Sequence, residues 1–255
     1  MPAAKRKGAI MKRDIQAVFF DAGYTLLCMD PEQTTIFLNV CEELEISIDR
    51  ERLAHAVARA NAFFAPRPTR TSPLPFSQAA VDRFWTEYNR LLLQECAADP
   101  GHARHAEVVY RRFTAAIRWR IYDDVHGVLR ELRRRGTRLG VISNWTGDLE
   151  EILQKMELHR QFDFVIDSSR FGYEKPHAEI FQEAVRRAGV PASASLHVGD
   201  SPDHDVEGAL NSGLRALLLD RHERHPAFTR APRIATLTAV LEHVVEATAS
   251  RLAER

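Results

Sequence analysis

The chain of 255 residues has no net charge, few cysteines and no long apolar run near its start. Its 35 lysine and arginine residues balance 35 aspartate and glutamate residues, so no global field attracts nucleic acid or an anionic membrane surface. The three cysteines, Cys28, Cys41 and Cys96, are odd in number and far apart. This usage argues against a disulfide framework or a zinc site and predicts a reducing, cytoplasmic location.

The N-terminal stretch, residues 1–13, carries a short basic run with no signal peptide or membrane-spanning segment behind it. We interpret it as a disordered tail, with Met11 as an alternative start of the chain. The whole chain is 45% hydrophobic. That content is enough for a sizeable core in one large domain, or in a medium domain that contains a smaller inserted one.

Five short apolar segments have the length and composition of buried strands, and helix-forming segments separate the last four. The five are QAVFF, RLGVIS, FDFVID, SLHVGD and RALLLD. Alternation of this kind predicts the α/β class, with a doubly wound, mainly parallel five-stranded sheet. We assign residues 14–28 and 116–250 to this core, with a last helix from Thr236 to Ala247.

The stretch between the two parts of the core, residues 29–115, has a different composition. It holds almost no β-branched runs and is rich in alanine, leucine, glutamate and arginine, with a central breaker segment, APRPTRTSPLP. This pattern predicts an all-helical insertion in two parts. We interpret it as a helical cap domain.

Several polar side chains follow the predicted strands or lie in the loops beyond them. In a parallel sheet these loops meet at the carboxyl edge, where functional groups collect. Taken singly, each residue has an ordinary explanation as a cap, a turn or a solvated lysine. Taken together they form a candidate site of Asp21, Ser143, Asn144, Lys175, Asp200 and Asp205.

Four stretches together resemble the haloacid dehalogenase (HAD) superfamily of aspartate-nucleophile hydrolases. They are VFFDAGYTLL, LGVISNWTG, FGYEKPHAEIF and LHVGDSPDHDVEGALNSGL, in the order and roughly the spacing of that superfamily. The resemblance covers the first motif and about residues 121 to 220. It implies a Rossmann-like core, and in one branch of the superfamily a cap domain occupies the place of residues 29–115.

The resemblance also implies a role for each candidate residue. Asp21 is the expected nucleophile and forms an aspartyl-phosphate, while Ser143, Asn144 and Lys175 bind the phosphate. Mg²⁺ is the expected cofactor because two anions need a hard cation between them. Its expected ligands are Asp21, the backbone carbonyl of Gly23, Asp200 and Asp205, the last either directly or through a water molecule.

Gly23 departs from the pattern of phosphatases in this superfamily, which carry a second aspartate two residues after the nucleophile. That aspartate protonates the leaving group, and a glycine has no carboxyl group with which to do so. A carbonyl at this position still binds a metal ion. Tyr24, which follows, is a poor proton shuttle because its phenol is weakly acidic, and we interpret it as a packing residue.

Three functions therefore remain open. The first is a phosphatase for a small phosphorylated molecule whose leaving group needs little protonation, or whose proton comes from elsewhere. The second is a weakly catalytic protein that binds a phosphorylated ligand or regulates a partner. The third is a 2-haloacid dehalogenase, since halide leaves without a proton; those enzymes need no metal and tend to lack a pair such as Gly199-Asp200.

Overall fold

A computed structural model describes residues 15–63 and 77–244 of the chain. The predicted tail, residues 1–13, lies outside the described residues, as do residue 14 and residues 245–250 of the predicted core. Residues 64–76 of the predicted cap, which include the breaker segment APRPTRTSPLP, also lie outside them. Within the described ranges, no helix combines the length and the apolar character needed to cross a membrane.

A six-stranded parallel sheet forms the centre of the α/β part, in the order β5-β4-β1-β6-β7-β8. Five of its strands are those that the sequence predicts. The sixth, β8, has two residues and pairs with the end of β7, so the predicted count of five is one too low. A two-residue strand at the sheet edge carries no alternation that a sequence pattern reveals. The strands are β1 (Ala17–Phe20), β4 (Arg138–Ser143), β5 (Phe164–Asp167), β6 (Ser195–Gly199), β7 (Arg215–Leu219) and β8 (Arg233–Ile234).

Helices cover both faces of this sheet. Alternate residues of β1 point to opposite faces: Val18 and Phe20 belong to one apolar cluster, and Ala17 and Phe19 belong to another. This confirms the doubly wound prediction, because a parallel sheet is buried on both sides. The helices are α5 (Val125–Arg134), α6 (Leu149–Lys155), α7 (Ser168–Phe171), α8 (Ala178–Ala188) and α9 (Gly208–Asn211).

The predicted last helix, Thr236 to Ala247, is a 3₁₀ helix over Leu237–Glu242 in the described residues. Leu237 and Val240 are its buried residues and pack against the core cluster that contains α5. The positions from 245 onward lie outside the described residues.

The described part of residues 33–116 contains four longer helices with an apolar cluster of their own. Buried side chains of these helices include Phe37, Val40, Leu92, Leu93 and Val109. Ser77 is the N-cap of the third helix, since its side chain accepts a hydrogen bond from the backbone N–H of Ala80. The helices are α1 (Gln33–Glu43), α2 (Arg50–Phe63), α3 (Gln78–Cys96) and α4 (Ala106–Ala116), with a 3₁₀ turn over Pro100–His105.

A short antiparallel pair joins the two ends of this helical segment. Strand β2 (Leu27–Met29) pairs with β3 (Trp119–Ile121), so the chain that leaves the first motif runs beside the chain that returns from α4. The sequence did not predict this pair, because each strand has three residues and its partner lies about ninety positions away. The two segments that connect the helical segment to the core therefore lie side by side.

Candidate active site

Three carboxylates meet at the carboxyl edge of the sheet. Asp21 follows β1 and Asp200 follows the neighbouring strand β6, while Asp205 lies in a short helical turn, Pro202–Glu207. A backbone hydrogen bond of 2.9 Å from Asp21 N to Val198 O continues the pairing of the two strands. The three side chains each offer an oxygen, and these oxygens all lie within 4.8 Å of one another. Such a set of hard oxygen donors fits a divalent cation.

The ammonium group of Lys175 lies between two of these carboxylates. Its Nζ is 2.6 Å from Oδ1 of Asp21 and 2.5 Å from Oδ1 of Asp205, and all three side chains are buried. The sequence predicts Lys175 as a site residue, and the fold brings it to the nucleophile candidate across 154 positions.

Ser143 and Asn144, at the end of β4, position the Asp21 side chain and the Lys175 backbone. The Ser143 hydroxyl, the last side chain of the strand, donates to Oδ1 of Asp21 at 2.9 Å. Asn144 contacts the backbone of Lys175 twice, accepting from its N–H at 2.7 Å and donating to its carbonyl at 2.9 Å. Asn144 thus holds the lysine in place, which the sequence did not indicate, and its binding of phosphate stays a prediction.

Burial and neighbouring charges shift the pKa values of the three carboxylates in different directions. Burial raises the pKa of Asp21 although Lys175 opposes the shift. Burial and then the charges of Asp21 and Asp205 raise the pKa of Asp200 well above its usual value. Burial also opposes the charged form of Asp205, but Lys175 and His197 outweigh it and the pKa is lowered.

The ammonium of Lys175 stays charged, because its two carboxylate partners outweigh burial and raise its pKa. Three carboxylates therefore face one ammonium group. When all three carboxylates are ionised, the two negative charges in excess equal the charge of one divalent cation, which is a second reason why the cluster fits such an ion.

His197 is a buried neighbour of the site that the sequence analysis missed. Its Nε2 is 2.8 Å from Oδ1 of Asp205, and since a carboxylate only accepts, Nε2 carries the hydrogen. Burial lowers the pKa of His197, which keeps the ring neutral. The feature of the sequence that could have indicated His197 is that it is a polar residue in the middle of the apolar strand segment SLHVG.

Gly199 allows Asp205 to approach β6. A Cβ atom at this position would lie 2.1 Å from Cγ of Asp205, which is far inside a real contact. A side chain here would displace the carboxylate, so the glycine before Asp200 is required by space.

Of the neighbours Gly23 and Tyr24, it is the tyrosine whose backbone adopts the conformation that glycine usually favours. Gly23 lies outside the left-handed region, whereas Tyr24 has a φ of 56° inside it, where a non-glycine residue is uncommon. The Tyr24 hydroxyl donates to Oε1 of Gln33 in α1 at 3.1 Å. Burial, followed by the charge of Asp200, raises the pKa of Tyr24 to about 12, so the phenol stays protonated. Tyr24 also lines a cavity of about 50 Å³ beside Asp200.

Trp145 is the second neighbour that the sequence did not single out. A Cβ atom at Gly23 would lie 3.4 Å from its ring carbon Cζ3. The indole Nε1 donates to Oδ1 of Asp148 at 2.9 Å, and the ring packs on Trp119 with centroids 4.9 Å apart. Trp145 therefore bounds the space that the side chain of residue 23 would occupy.

The arrangement can be compared with known proteins now that its parts are placed. The family model described as haloacid dehalogenase-like hydrolase matches residues 15–213. The chain belongs to this family. This match confirms the family that the four motifs resemble.

Relatives of this haloacid dehalogenase-like hydrolase include a named phosphatase. The phosphoserine phosphatase of Thermus thermophilus is 30% identical over 188 residues, which are 66% of this chain and 75% of that protein. The haloacid dehalogenase-like hydrolase domain-containing protein 3 of Bos taurus is 37% identical over 114 residues, and the match spans 45% of this chain and 45% of the bovine protein. The match thus covers less than half of the bovine protein's length.

A solved structure supports the fold. The HAD-hydrolase YfnB of Bacillus subtilis, described as bound to magnesium, is similar to this hydrolase with a TM-score of 0.68 and 19% identity, over 90% of this chain and 98% of YfnB. At this identity the likeness concerns the fold alone.

Proposed function

We propose that the chain is a cytoplasmic, Mg²⁺-dependent phosphatase that hydrolyses a small phosphorylated molecule through an aspartyl-phosphate on Asp21. One observation carries the proposal: Oδ1 of Asp21 accepts hydrogen bonds from both Ser143 and Lys175 inside a cluster of three carboxylates. These contacts orient the carboxylate and leave it beside a compensating charge, as a nucleophile for phosphoryl transfer requires.

Asp21, Lys175 and Ser143 each have one role in the proposed reaction. A carboxylate oxygen of Asp21 attacks phosphorus, and the bond from phosphorus to the leaving oxygen breaks with its electron pair on that oxygen. Lys175 neutralises negative charge on the nucleophile and the phosphoryl group, and the Ser143 hydroxyl is close enough to turn to a phosphoryl oxygen. Water then attacks the aspartyl-phosphate at phosphorus, which frees the Asp21 carboxylate and inorganic phosphate and returns a proton to solvent.

Residues of this chain would hold Mg²⁺ through Asp21, the Gly23 carbonyl and Asp200. The ion would supply positive charge that lets the carboxylate and the phosphate approach. Both oxygens of Asp205 are already engaged: Oδ1 accepts from Lys175 and His197, and Oδ2 accepts from the backbone N–H of Ser201 at 3.0 Å. This favours the alternative in which Asp205 holds the ion through a water molecule. That the related fold of YfnB is described as bound to magnesium is consistent with the choice of metal.

Residues 29–115 are proposed as a helical cap that admits the substrate and excludes water from the site. The helices have their own apolar cluster, and β2 and β3 form their connection to the core. The hydrogen bond between Tyr24 and Gln33 links the nucleophile turn directly to the first of these helices. Cap side chains would then contribute to the choice of substrate.

A second function, binding of a phosphorylated ligand with little turnover, is favoured by the surroundings of Gly23. An indole ring bounds this position, where phosphatases of the superfamily carry an acid. A protein with an intact anion site but slow chemistry would have this arrangement.

The test is the release of inorganic phosphate from para-nitrophenyl phosphate with and without Mg²⁺. We expect activity that needs the metal and that Asp21→Asn abolishes, because the amide is not a nucleophile. Asp123→Asn is the matched control, since the Asp123 side chain is fully exposed, and it should keep the activity of the unaltered chain.

Other outcomes separate the alternatives. Thermal stabilisation by phosphate analogues without turnover would replace the phosphatase by the binding protein. Release of chloride from a 2-chloro acid without metal would replace it by the dehalogenase.

A further inference from the structure

We propose that Trp145 determines leaving-group specificity: its ring bounds the space beside Gly23 and restricts an acidic side chain there, so the substrates are phosphate compounds whose leaving oxygen is acidic, aryl phosphates above all. The inference rests on the phosphatase function proposed above. It adds the substrate class and names the residue that selects it.

The first step of the argument is that the backbone does not require a glycine at position 23. Its φ lies outside the left-handed region, whereas the next residue, Tyr24, takes a φ of 56° without being a glycine. Any L-amino acid can adopt the backbone conformation of residue 23. The reason for the missing side chain therefore lies in its surroundings.

The nearest side chain to the Cβ position of residue 23, chain neighbours aside, is the Trp145 ring. Apart from the neighbours of Gly23 in the chain, Cζ3 of Trp145 is the one heavy atom of the described residues within 4 Å of the position of a Cβ, at 3.4 Å. An alanine would just fit at this distance. An aspartate extends its carboxyl group further from Cβ, and a rotamer directed toward Trp145 would meet the ring, so the ring restricts where a carboxyl group at this position can point.

The ring is held on three sides. The indole N–H is bonded to Asp148, the backbone N–H donates to Oγ of Ser168 at 3.1 Å, and the ring packs on Trp119 of β3. These contacts fix Trp145 in the loop directly after Ser143 and Asn144. Moving the ring to make room at position 23 would break its contacts with Asp148 and Trp119.

The consequence for chemistry is that the leaving oxygen departs without a proton from residue 23. When Asp21 attacks phosphorus, the electron pair of the broken bond stays on that oxygen, which leaves as an anion and takes its proton from solvent afterwards. An alkoxide leaves poorly in this way, since a general acid is typically worth about 10²- to 10⁴-fold in rate. An aryloxide needs little such help, and an indole offers its ring a flat apolar surface.

The second half-reaction does not involve the leaving oxygen of the substrate, because that group has already departed. Water attacks phosphorus of the aspartyl-phosphate, and the group that departs is the carboxylate of Asp21, a stable anion. The selection therefore acts on the first step, which kcat/KM reports.

The experiment measures kcat/KM for a series of substituted phenyl phosphates and for an alkyl phosphate, with Mg²⁺. In the unaltered chain we expect a steep fall as the parent hydroxyl becomes less acidic. Three variants follow: Gly23→Asp, Trp145→Ala and both together. The double variant should flatten the dependence and raise kcat/KM for the alkyl phosphate about 10²-fold over either single variant.

The matched control is Gly127→Asp at an exposed helical glycine. Apart from its chain neighbours and its own helix backbone, no atom of the described residues lies within 4 Å of a Cβ there. It adds the same carboxyl group away from the site and should leave the leaving-group dependence unchanged. Thermal unfolding of every variant shows whether it is folded.

Two results would overturn the inference while the phosphatase function stands. One is a shallow leaving-group dependence in the unaltered chain, which needs no variant and so decides the matter even if a variant does not fold. The other is a Gly23→Asp variant as active on the alkyl phosphate as the double variant. If no aryl phosphate is hydrolysed, or if Asp21→Asn keeps the activity, the proposed function itself fails.

Discussion

Lys175 is the residue on which the charge balance of the site depends. Its Nζ lies within hydrogen-bond distance of Asp21 and Asp205, and all three side chains are buried. The order of residues in the chain predicted a lysine at the site, because it precedes a helix in a recognisable motif. Its two partners follow from the fold, which brings Asp21, Lys175 and Asp205 together at the carboxyl edge of the sheet.

Replacing Lys175 by methionine tests this balance. We expect Lys175→Met to lower the free energy of unfolding by about 3 kcal/mol in the presence of a chelator, because two buried carboxylates lose their counter-charge. Urea unfolding measures the change. Lys155→Met is the matched control: Lys155 is exposed in α6, and its loss should change the stability by less than about 0.5 kcal/mol. Equal effects of the two substitutions would contradict a buried, charge-balancing lysine.

At the scale of elements, the Asp124 carboxylate connects three segments at the edge of the core. It forms a two-pronged ion pair with Arg221 at 2.9 Å for each contact, and it accepts from the backbone N–H of Leu237 at 2.8 Å. Arg221 also stacks over the ring of Tyr122, 3.9 Å from its centroid. The start of α5, the loop after β7 and the last 3₁₀ helix thus share one carboxylate.

The pKa of Asp124 gives a prediction for acid pH. Burial opposes its charge, but the hydrogen bonds of Arg221 and Leu237 outweigh burial and lower the pKa below the usual 3.8. A lowered pKa stabilises the folded state above the unfolded pKa, and this stability is lost as the pH falls through the folded pKa. We expect Asp124→Asn to cost about 1 to 2 kcal/mol at neutral pH and progressively less below pH 3.8.

Urea unfolding at a series of pH values measures this difference. Asp123→Asn removes a neighbouring carboxylate whose side chain is fully exposed, and it should change the free energy of unfolding by less than about 0.5 kcal/mol. A cost of Asp124→Asn that stays constant down to the lowest pH would contradict the ion pair as its source.

The elements themselves were predicted to different degrees. Strands β1, β4, β5, β6 and β7 were found because each is a short apolar run between helical patterns. The pair of β2 and β3, and the two-residue β8, were not found. Two or three residues carry too little periodicity to signal a strand, and their pairing depends on partners far away in the chain.

For the whole molecule, we expect the carboxylate cluster to make stability depend on divalent ions. Burial and the charges of Asp21 and Asp205 raise the pKa of Asp200, which means that the charged cluster opposes folding. A divalent ion that binds only the folded chain relieves this repulsion and stabilises the molecule by about 2.7 kcal/mol at a hundred times its Kd.

We therefore expect Mg²⁺ to raise the midpoint of thermal unfolding by about 5 to 10 °C at such a concentration, and a chelator to reverse the shift. Asp200→Asn should unfold at a higher temperature than the unaltered chain in chelator, because one repelling charge is gone, and should respond weakly to Mg²⁺. Asp203→Asn, an exposed position of the same loop, should respond as the unaltered chain does. An undiminished response of Asp200→Asn would exclude Asp200 as a ligand.

The local order of residues was enough to predict the family, the α/β class and the side chains that meet at the carboxyl edge of the sheet. This is so because strand length, helical spacing and the residues that follow each strand are properties of short segments. The contacts of His197 with Asp205 and of Trp145 with the space beside Gly23 were decided by the tertiary structure alone. They join residues from separate strands and loops, and their distances depend on how the parallel sheet twists and packs, which no local pattern records.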